Sequence, residues 1–458
     1  MDYKGPFLTL DFVVRLIFGT ADGWLALAVL GLALIALWLL LLFGRTLRLR
    51  AKLLSIPGFF LAVYLMVMSV PSTIFFADKV TAFRWPYLLS VQLFPLFFLA
   101  GMFVALLIIR SLRPRPVAIA NVTRPPTPVS RSGPRHLRLL KWMFLASILA
   151  TAAIGLIYVL TMEQVPLFVF ISGKHKEIEG GARFIAYEAP SHLIFFHALG
   201  VRIFVPIAVM SSFLLFKLGH RKWFNWFVVA FIIGLFFSLL TLERQGPIAL
   251  FAFLALGNLL IDGIRRFWKP FIVCVGAAGF FGIVVTSGQF GDASQSAFDQ
   301  SAASVGIQLV RFFVMRVIID PAYMAYAVME LYADRALLFG SNIKLLKPLF
   351  ESLGSHYEGL TAIGIVPDFW INFGGLGIGL GGLSLGFCLQ FFESALLQQN
   401  SVVSVIFKII LMVCAIWLLY SNIFPIMVTC VYALLGCCLL LIRSLHTSTK
   451  VQSAINSS

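Results

Sequence analysis

Charge is scarce in this chain. Only 12% of its 458 residues are charged, against 60% that are hydrophobic, and long stretches carry no charge at all. Such a composition cannot cover the surface of a water-soluble domain of this size. Acid is scarcer still in places: segment 110–141 holds eight basic residues and no Asp or Glu. Cysteine is also rare. The six present (Cys274, Cys388, Cys414, Cys430, Cys437, Cys438) all fall in apolar runs, without zinc or redox spacing, and count as small apolar residues. There is no Walker sequence, no HExxH and no CxxC. Nothing therefore points to ATP coupling, a metal or a cofactor, and none is expected.

What is present is a series of apolar runs of membrane-crossing length. Eleven candidate spans lie at roughly 24–43, 53–76, 86–109, 142–161, 199–216, 223–241, 246–262, 270–287, 367–392, 402–420 and 425–442. The gaps between them alternate in charge. One set (44–52, 110–141, 217–222, 262–269, 393–401 and the tail) carries twenty basic residues against Asp262 and Glu393. The other set carries fourteen basic against seventeen acidic residues. By the positive-inside rule the first set is cytoplasmic, which puts the N-terminus outside and the C-terminus in the cytoplasm. The net charge of +16 is then a topology signal. Nucleic-acid binding, the rival meaning of a basic chain, has no basic stripe on a soluble domain to support it. Residues 1–23 contain Asp2, Asp11, Arg15 and Asp22, so no cleavable signal peptide is expected, and Phe7–Phe18 is expected at the outer interface.

The fold expected is an all-α polytopic membrane protein of about eleven transmembrane helices, with residues 1–458 forming a single integral membrane domain. Segment 110–141 is rich in proline and is expected as an extended cytoplasmic loop beside anionic lipid headgroups. Two segments on the outer side are long and polar: 162–198 and 288–366. The second is too long for a bare loop and is expected to hold helices of its own. Within it, Arg316, Asp320, Tyr323, Glu330 and Asp334 recur at helical spacing among apolar residues, the pattern of an amphipathic helix. The run Gly374–Gly386 contains a formal GxGxxG, but it lies inside a hydrophobic span with no strand before it. Close helix packing through Gly375/Gly379 and Gly382/Gly386 is the better account.

Ionisable residues in or beside spans are costly and so become functional candidates. Arg244 sits in the short outer turn Thr241–Pro247, where it either offers a bidentate guanidinium to a phosphate or snorkels to the interface beside Glu243. Arg311 and Arg316, set among apolar residues, suit a lipid-linked phosphate, while an Arg316–Asp320 helical pair is the plainer alternative. Arg183 and Arg202 flank the start of the fifth span, as phosphate binders or as anchors. Glu177 and Glu179 form an ExE pair that could take a divalent ion beside a diphosphate, although Lys174, Lys176 and Arg183 offer salt-bridge partners instead. His356, Tyr357 and Glu358 cluster before the ninth span, and Asp368 opens it. Asp368 or His356 could serve as a general base, and Asp368 equally as an acid favoured by a helix N-terminus.

These residues carry a resemblance. Val165–Phe168 followed by a charged outer segment, the turn Glu243–Ile248 with Arg244, the series Arg316, Pro321, Tyr323, and Gly364–Gly377 with Asp368, Asn372 and Phe373 resemble, in order and spacing, the motifs of Wzy-type oligosaccharide repeat-unit polymerases. The likeness covers about residues 160–390. Glu243 stands where that family has glycine, and Asp368 where glutamate is usual. The resemblance implies a GT-C-type architecture with a large helical periplasmic loop, in the bacterial inner membrane. It implies a metal-independent inverting glycosyltransferase that polymerises undecaprenyl-diphosphate-linked oligosaccharides for O-antigen or exopolysaccharide synthesis. Arg183, Arg202, Arg244, Arg311 and Arg316 would hold the diphosphate, Asp368 or His356 would act as base, and Tyr323, Glu358 and Asn372 would bind the acceptor. Membrane lipids, a chain-length regulator and a flippase of the same pathway are the implied partners. The alternatives are an O-antigen ligase, which transfers finished polymer, and a lipid-linked oligosaccharide flippase or other transporter. A transporter should line several spans with polar residues at mid-depth, where only Lys408 is deep here.

Overall fold

The computed structural model describes residues 55–76, 84–111, 134–174, 185–186, 189–243, 245–262, 269–281, 320–333, 337–338, 364–397 and 402–419. The described residues form helices and turns, with no strand. Five stretches are long and apolar enough to cross a membrane: Ile56–Thr73, Trp85–Ile109, Leu137–Thr161, His192–Lys217 and Ile365–Ser394. Trp223–Leu239, Gly246–Ile261, Lys269–Phe281 and Val403–Trp417 are shorter apolar helices. Nine of the eleven expected spans therefore coincide with helices, while 24–43 and 425–442 lie outside the described residues. The chain is membrane-embedded in character, as its composition requires.

Two compact units divide the chain. The first comprises residues 1–115, 314–394 and 415–428. Its described helices are α1 (Ile56–Tyr64), a π-helical turn (Leu65–Ser69) running into α2 (Val70–Phe76), α3 (Arg84–Ser111), and two later helices, α11 (Asp320–Leu331) and α12 (Ile365–Leu397). Ser55 caps α1 by accepting from the Gly58 amide, 3.1 Å. The Ile56 amide is taken by the buried carboxylate of Glu393, 2.8 Å. Pro95 lies inside α3 and has no N–H for the Val91 carbonyl four residues back, and that carbonyl instead accepts the Tyr64 hydroxyl, 2.7 Å. A polar seam joins these helices. Ser69 Oγ donates to Gln92 Oε1 (2.7 Å), Gln92 Nε2 donates to Thr73 Oγ1 (3.1 Å), and Tyr87 Oη lies 2.8 Å from Ser72 Oγ. Tyr87 Oη also donates to the Ala322 carbonyl of α11, 2.8 Å, so Ser72 is the donor to Tyr87. On α11 the residues Ala322, Ala325, Tyr326 and Met329 are buried and Tyr323, Met324 and Glu330 exposed, which is the amphipathic helix the sequence pattern indicates.

The expected ninth span is not one continuous helix. In α12 the backbone of Gly374 adopts φ 62°, ψ −150°, a conformation open only to glycine, and a half-helix of residues 365–373 turns there into the rest of the span. The Ile371 carbonyl near the break accepts the Leu338 amide, 2.9 Å, and the Ile365 amide donates to the Leu418 carbonyl, 2.7 Å. Beyond the break α12 presses on α3 through glycines. A Cβ at Gly386 would collide with the Phe98 carbonyl, and one at Gly101 with the Leu383 carbonyl. At Gly382 it would stand 2.9 Å from the Phe94 carbonyl. Gly382/Gly386 thus form the packing pair expected from sequence, whereas a Cβ at Gly375 would meet nothing within 4 Å.

The second unit comprises residues 116–313, 395–414 and 429–458. It holds α4 (Pro134–Thr161), α5 (Pro166–Ile171), α6 (Ser191–Leu199), a second π-helical turn (Gly200–Phe204), α7 (Val205–Lys217), α8 (Trp223–Leu239), α9 (Gln245–Asp262) and α10 (Lys269–Phe281). The last helix, α13 (Val402–Trp417), belongs to this unit up to Cys414. Two expected loops are shorter than the sequence implied. Arg135, Arg138 and Lys141 of segment 110–141 already lie on α4, and α5 and α6 occupy part of 162–198. In both cases the helix extends past the apolar run, since a helix end can carry charge beyond the hydrocarbon.

The glycine contacts between α3 and α12 should be sensitive to volume. Gly386→Val and Gly101→Val should each lower the melting temperature of purified protein in detergent, at a cost of about 1–3 kcal/mol or more. Gly276→Ala on α10, where a Cβ meets nothing within 4 Å, should leave it unchanged or raise it. Equal melting temperatures for all three variants would contradict the close approach of these helices.

Candidate functional site

In the second unit, polar and charged groups gather where α4 ends, α6 passes into its π-turn and α8 turns into α9. Pro206 explains the π-turn. It has no N–H, and its ring crowds the carbonyl four residues back, that of Arg202. The helix responds by widening: the Val205 amide bonds to the Gly200 carbonyl five residues back. The same arrangement occurs before Pro71, where the Val70 amide bonds to the Leu65 carbonyl. The widening matters for His197 and Arg202, which are five residues apart. On a regular α-helix they would point about 140° apart. The π-turn takes up an extra residue, and both Arg202 and Glu243 lie within Coulombic reach of the imidazole.

Packing fixes this arrangement. The ring of Phe237 on α8 sits against Gly200, where a Cβ would stand 2.5 Å away, and against Gly155 of α4. The His197 ring stacks on Phe237 with centroids 4.8 Å apart, and Tyr158 lies beside it at 5.4 Å. His197 Nε2 is 2.9 Å from the Phe237 carbonyl. A carbonyl can only accept, so Nε2 carries the proton and, in the neutral ring, Nδ1 is the acceptor. Just beyond, the α8–α9 turn is held by the Leu167 amide of α5 donating to the Leu240 carbonyl, 3.3 Å. Leu242 takes φ 51° with its side chain buried, in the left-handed region that favours glycine. Glu243 is half-buried and also acts on Tyr158. Beside this cluster, a groove of about 480 Å³ is lined by Glu163, Gln164, Phe168, Ser172 and Lys174 among others.

Of the residues singled out from sequence, Arg202 is half-buried in this cluster. Asp368 and Asn372 are buried in the first unit, on the half-helix before Gly374. The Asn372 amide donates to the Asp368 carbonyl (2.8 Å) and to its Oδ1 (3.2 Å). Tyr323 is exposed on α11. Arg183, Arg244, Arg311, Arg316, His356, Glu358, Glu177 and Glu179 lie outside the described residues. Among the described residues no three His, Cys, Asp or Glu side chains are grouped to hold a metal ion. Tyr158 and His197 were not singled out as site residues from sequence. Their signal was faint: a Val-Pro pair inside a span, and a histidine five residues before an arginine. No known protein family, curated protein or solved structure matches the chain.

The His197–Phe237 bond makes a stability prediction. His197→Leu removes the side-chain donor from the Phe237 carbonyl, which keeps only the Leu240 amide (3.3 Å), and should destabilise the protein by about 0.5–1.5 kcal/mol. A thermal melt of the purified variant checks it. A melting temperature equal to wild type would mean the imidazole is not needed to hold α6 on α8.

Proposed function

We propose that this chain is an inverting glycosyltransferase of GT-C-type architecture in the bacterial inner membrane. It polymerises undecaprenyl-diphosphate-linked oligosaccharide repeat units on the outer face. The observation that carries the reading is the grouping of Arg202, His197 and Glu243 at one end of a helical membrane unit, directly before Arg244 in the chain. Ionisable groups at that depth are expensive and belong to sites that handle charged or polar substrate. The ordered motif resemblance supplies the reaction class.

In the reaction, an acceptor-sugar hydroxyl oxygen attacks the anomeric carbon of the donor chain. The bond from that carbon to the diphosphate oxygen breaks, and the electron pair leaves with the diphosphate. Arg244 and Arg316, with Arg183 and Arg311, offset the charge on the leaving group. The hydroxyl proton passes to a carboxylate or imidazole, Asp368 or His356. Asp368 favours the role because Asn372 already holds its Oδ1 in place. Tyr323, Glu358 and Asn372 contribute to acceptor binding. Membrane lipid and the lipid-linked saccharides are the partners, with a chain-length regulator and a flippase acting on the same chain of reactions.

Purified protein in detergent, given synthetic undecaprenyl-diphosphate repeat units alone, should produce a ladder of polymers on a gel. Arg244→Ala and Arg316→Ala should each reduce the rate by about a hundredfold, the scale of losing one charge-stabilising donor. Absence of a ladder from folded protein across several chemically distinct repeat units would reject polymerisation and favour ligase or flippase activity.

A further inference from the structure

Four buried side-chain polar atoms among the described residues lack a hydrogen-bond partner, and all are in the second unit: Tyr158 Oη, Ser211 Oγ, Ser238 Oγ and Thr241 Oγ1. Ser211 lies on α7, nine residues past Arg202. The other three border the cluster at the α8–α9 turn. Ser238 is the penultimate residue of α8, and Thr241 lies in the turn just after it. The Tyr158 ring lies beside His197, which stacks on Phe237, the neighbour of Ser238. Tyr158 and Ser238 are each 1% exposed and Thr241 6%. A buried hydroxyl without a partner carries its full desolvation cost, and such groups call for an explanation one by one. Three of them on converging elements, next to an imidazole, a guanidinium and a carboxylate, mark a place where a polar molecule belongs.

We propose that Tyr158, Ser238 and Thr241, with His197, Arg202 and Glu243, form a subsite for one neutral sugar ring. The proposal rests on the saccharide-transfer reading above and names which part of the substrate this end of the unit holds. Charge balance decides the ligand class. One guanidinium and one carboxylate cancel, so an anion would face Glu243 and a cation would face Arg202. A sugar ring presents hydroxyls that both donate and accept, which is what three free hydroxyls, a carboxylate and a guanidinium require. The diphosphate belongs with Arg183, Arg244, Arg311 and Arg316, not here.

The test uses the full-length protein and the triple variant Tyr158→Phe, Ser238→Ala, Thr241→Val, which removes the three hydroxyls and little else. Melting temperatures are read with no additive, with chitotriose, maltotriose or galactobiose at millimolar concentration, and with inorganic pyrophosphate. The expected result is that a saccharide raises the wild-type melting temperature. The variant should melt no lower than wild type without ligand, bind that saccharide at least tenfold more weakly, and respond to pyrophosphate as wild type does. Three outcomes would overturn the subsite: a variant that melts lower on its own, because its hydroxyls then serve the fold through water; unchanged saccharide binding; or a wild type that answers only to pyrophosphate or to none of the probes. The polymerisation assay separates the two ideas. A wild-type ladder with the variant unimpaired removes the subsite and leaves the transfer reading. No wild-type ladder removes the transfer reading, and the melting experiment then judges the subsite alone.

Discussion

The rest of this structure depends on one constraint: in hydrocarbon, a backbone N–H or C=O that leaves its helical ladder must find a partner within the protein. The described helices leave the ladder at several places, and a partner is found at each. Pro95 frees the Val91 carbonyl, and the Tyr64 hydroxyl takes it. The first amide of α1 has no preceding turn, and Glu393 takes it. The break at Gly374 leaves the carbonyl of Ile371 near the end of a half-helix, and the Leu338 amide takes it. Pro71 and Pro206 are handled differently, by widening the helix into a π-turn that re-pairs the backbone with itself. The last solution has a side effect that the others lack. It rotates everything downstream relative to everything upstream, and at Pro206 that rotation brings Arg202 toward His197.

Side chains obey the same rule in the first unit and depart from it in the second. Between α1, α2, α3 and α11 the seam of Ser69, Ser72, Thr73, Tyr87 and Gln92 is internally paired, ending on the Ala322 carbonyl. A satisfied seam specifies register and rigidity. At the α8–α9 turn the hydroxyls of Tyr158, Ser238 and Thr241 are equally buried and unpaired, and beside them Leu242 holds a backbone conformation unfavourable to a side chain. Strain and unmet polar groups gathered at one place are what the proposed sugar subsite accounts for.

How much of this was legible in the sequence follows from which signals are local. The spans were legible because hydrocarbon thickness sets a length and excludes charge, and nine of them coincide with described helices. The amphipathic helix near 320–331 was legible from its period, and the pair Gly382/Gly386 from its spacing. Arg202 was legible as a charge a few residues inside a span, and it lies half-buried within Coulombic reach of His197. His197 and Tyr158 were not, because their meaning depends on Phe237 from another helix and on a π-turn that no residue pattern announces. Asp368 and Asn372 were legible as a motif, but the break two residues later was not. A glycine-rich run gives no indication of which glycine departs from helical geometry.

That run shows why composition alone misleads here. Gly377, Gly379 and Gly382 satisfy GxGxxG, yet each answers to a different neighbour. A Cβ at Gly377 would collide with the Phe369 carbonyl, brought close by the turn at Gly374. At Gly379 it would lie in ordinary contact with the Phe97 ring, 3.6 Å away. At Gly382 it would press on the α3 backbone. One glycine thus accommodates a helix folded near its own start, one tolerates a side chain, and one allows two backbones to approach. A phosphate-binding loop would need consecutive amides free at a helix N-terminus. Here the amides are inside a span, and the half-helix that precedes them carries Asp368 in its first turn. The glycines therefore serve the geometry that positions the acid.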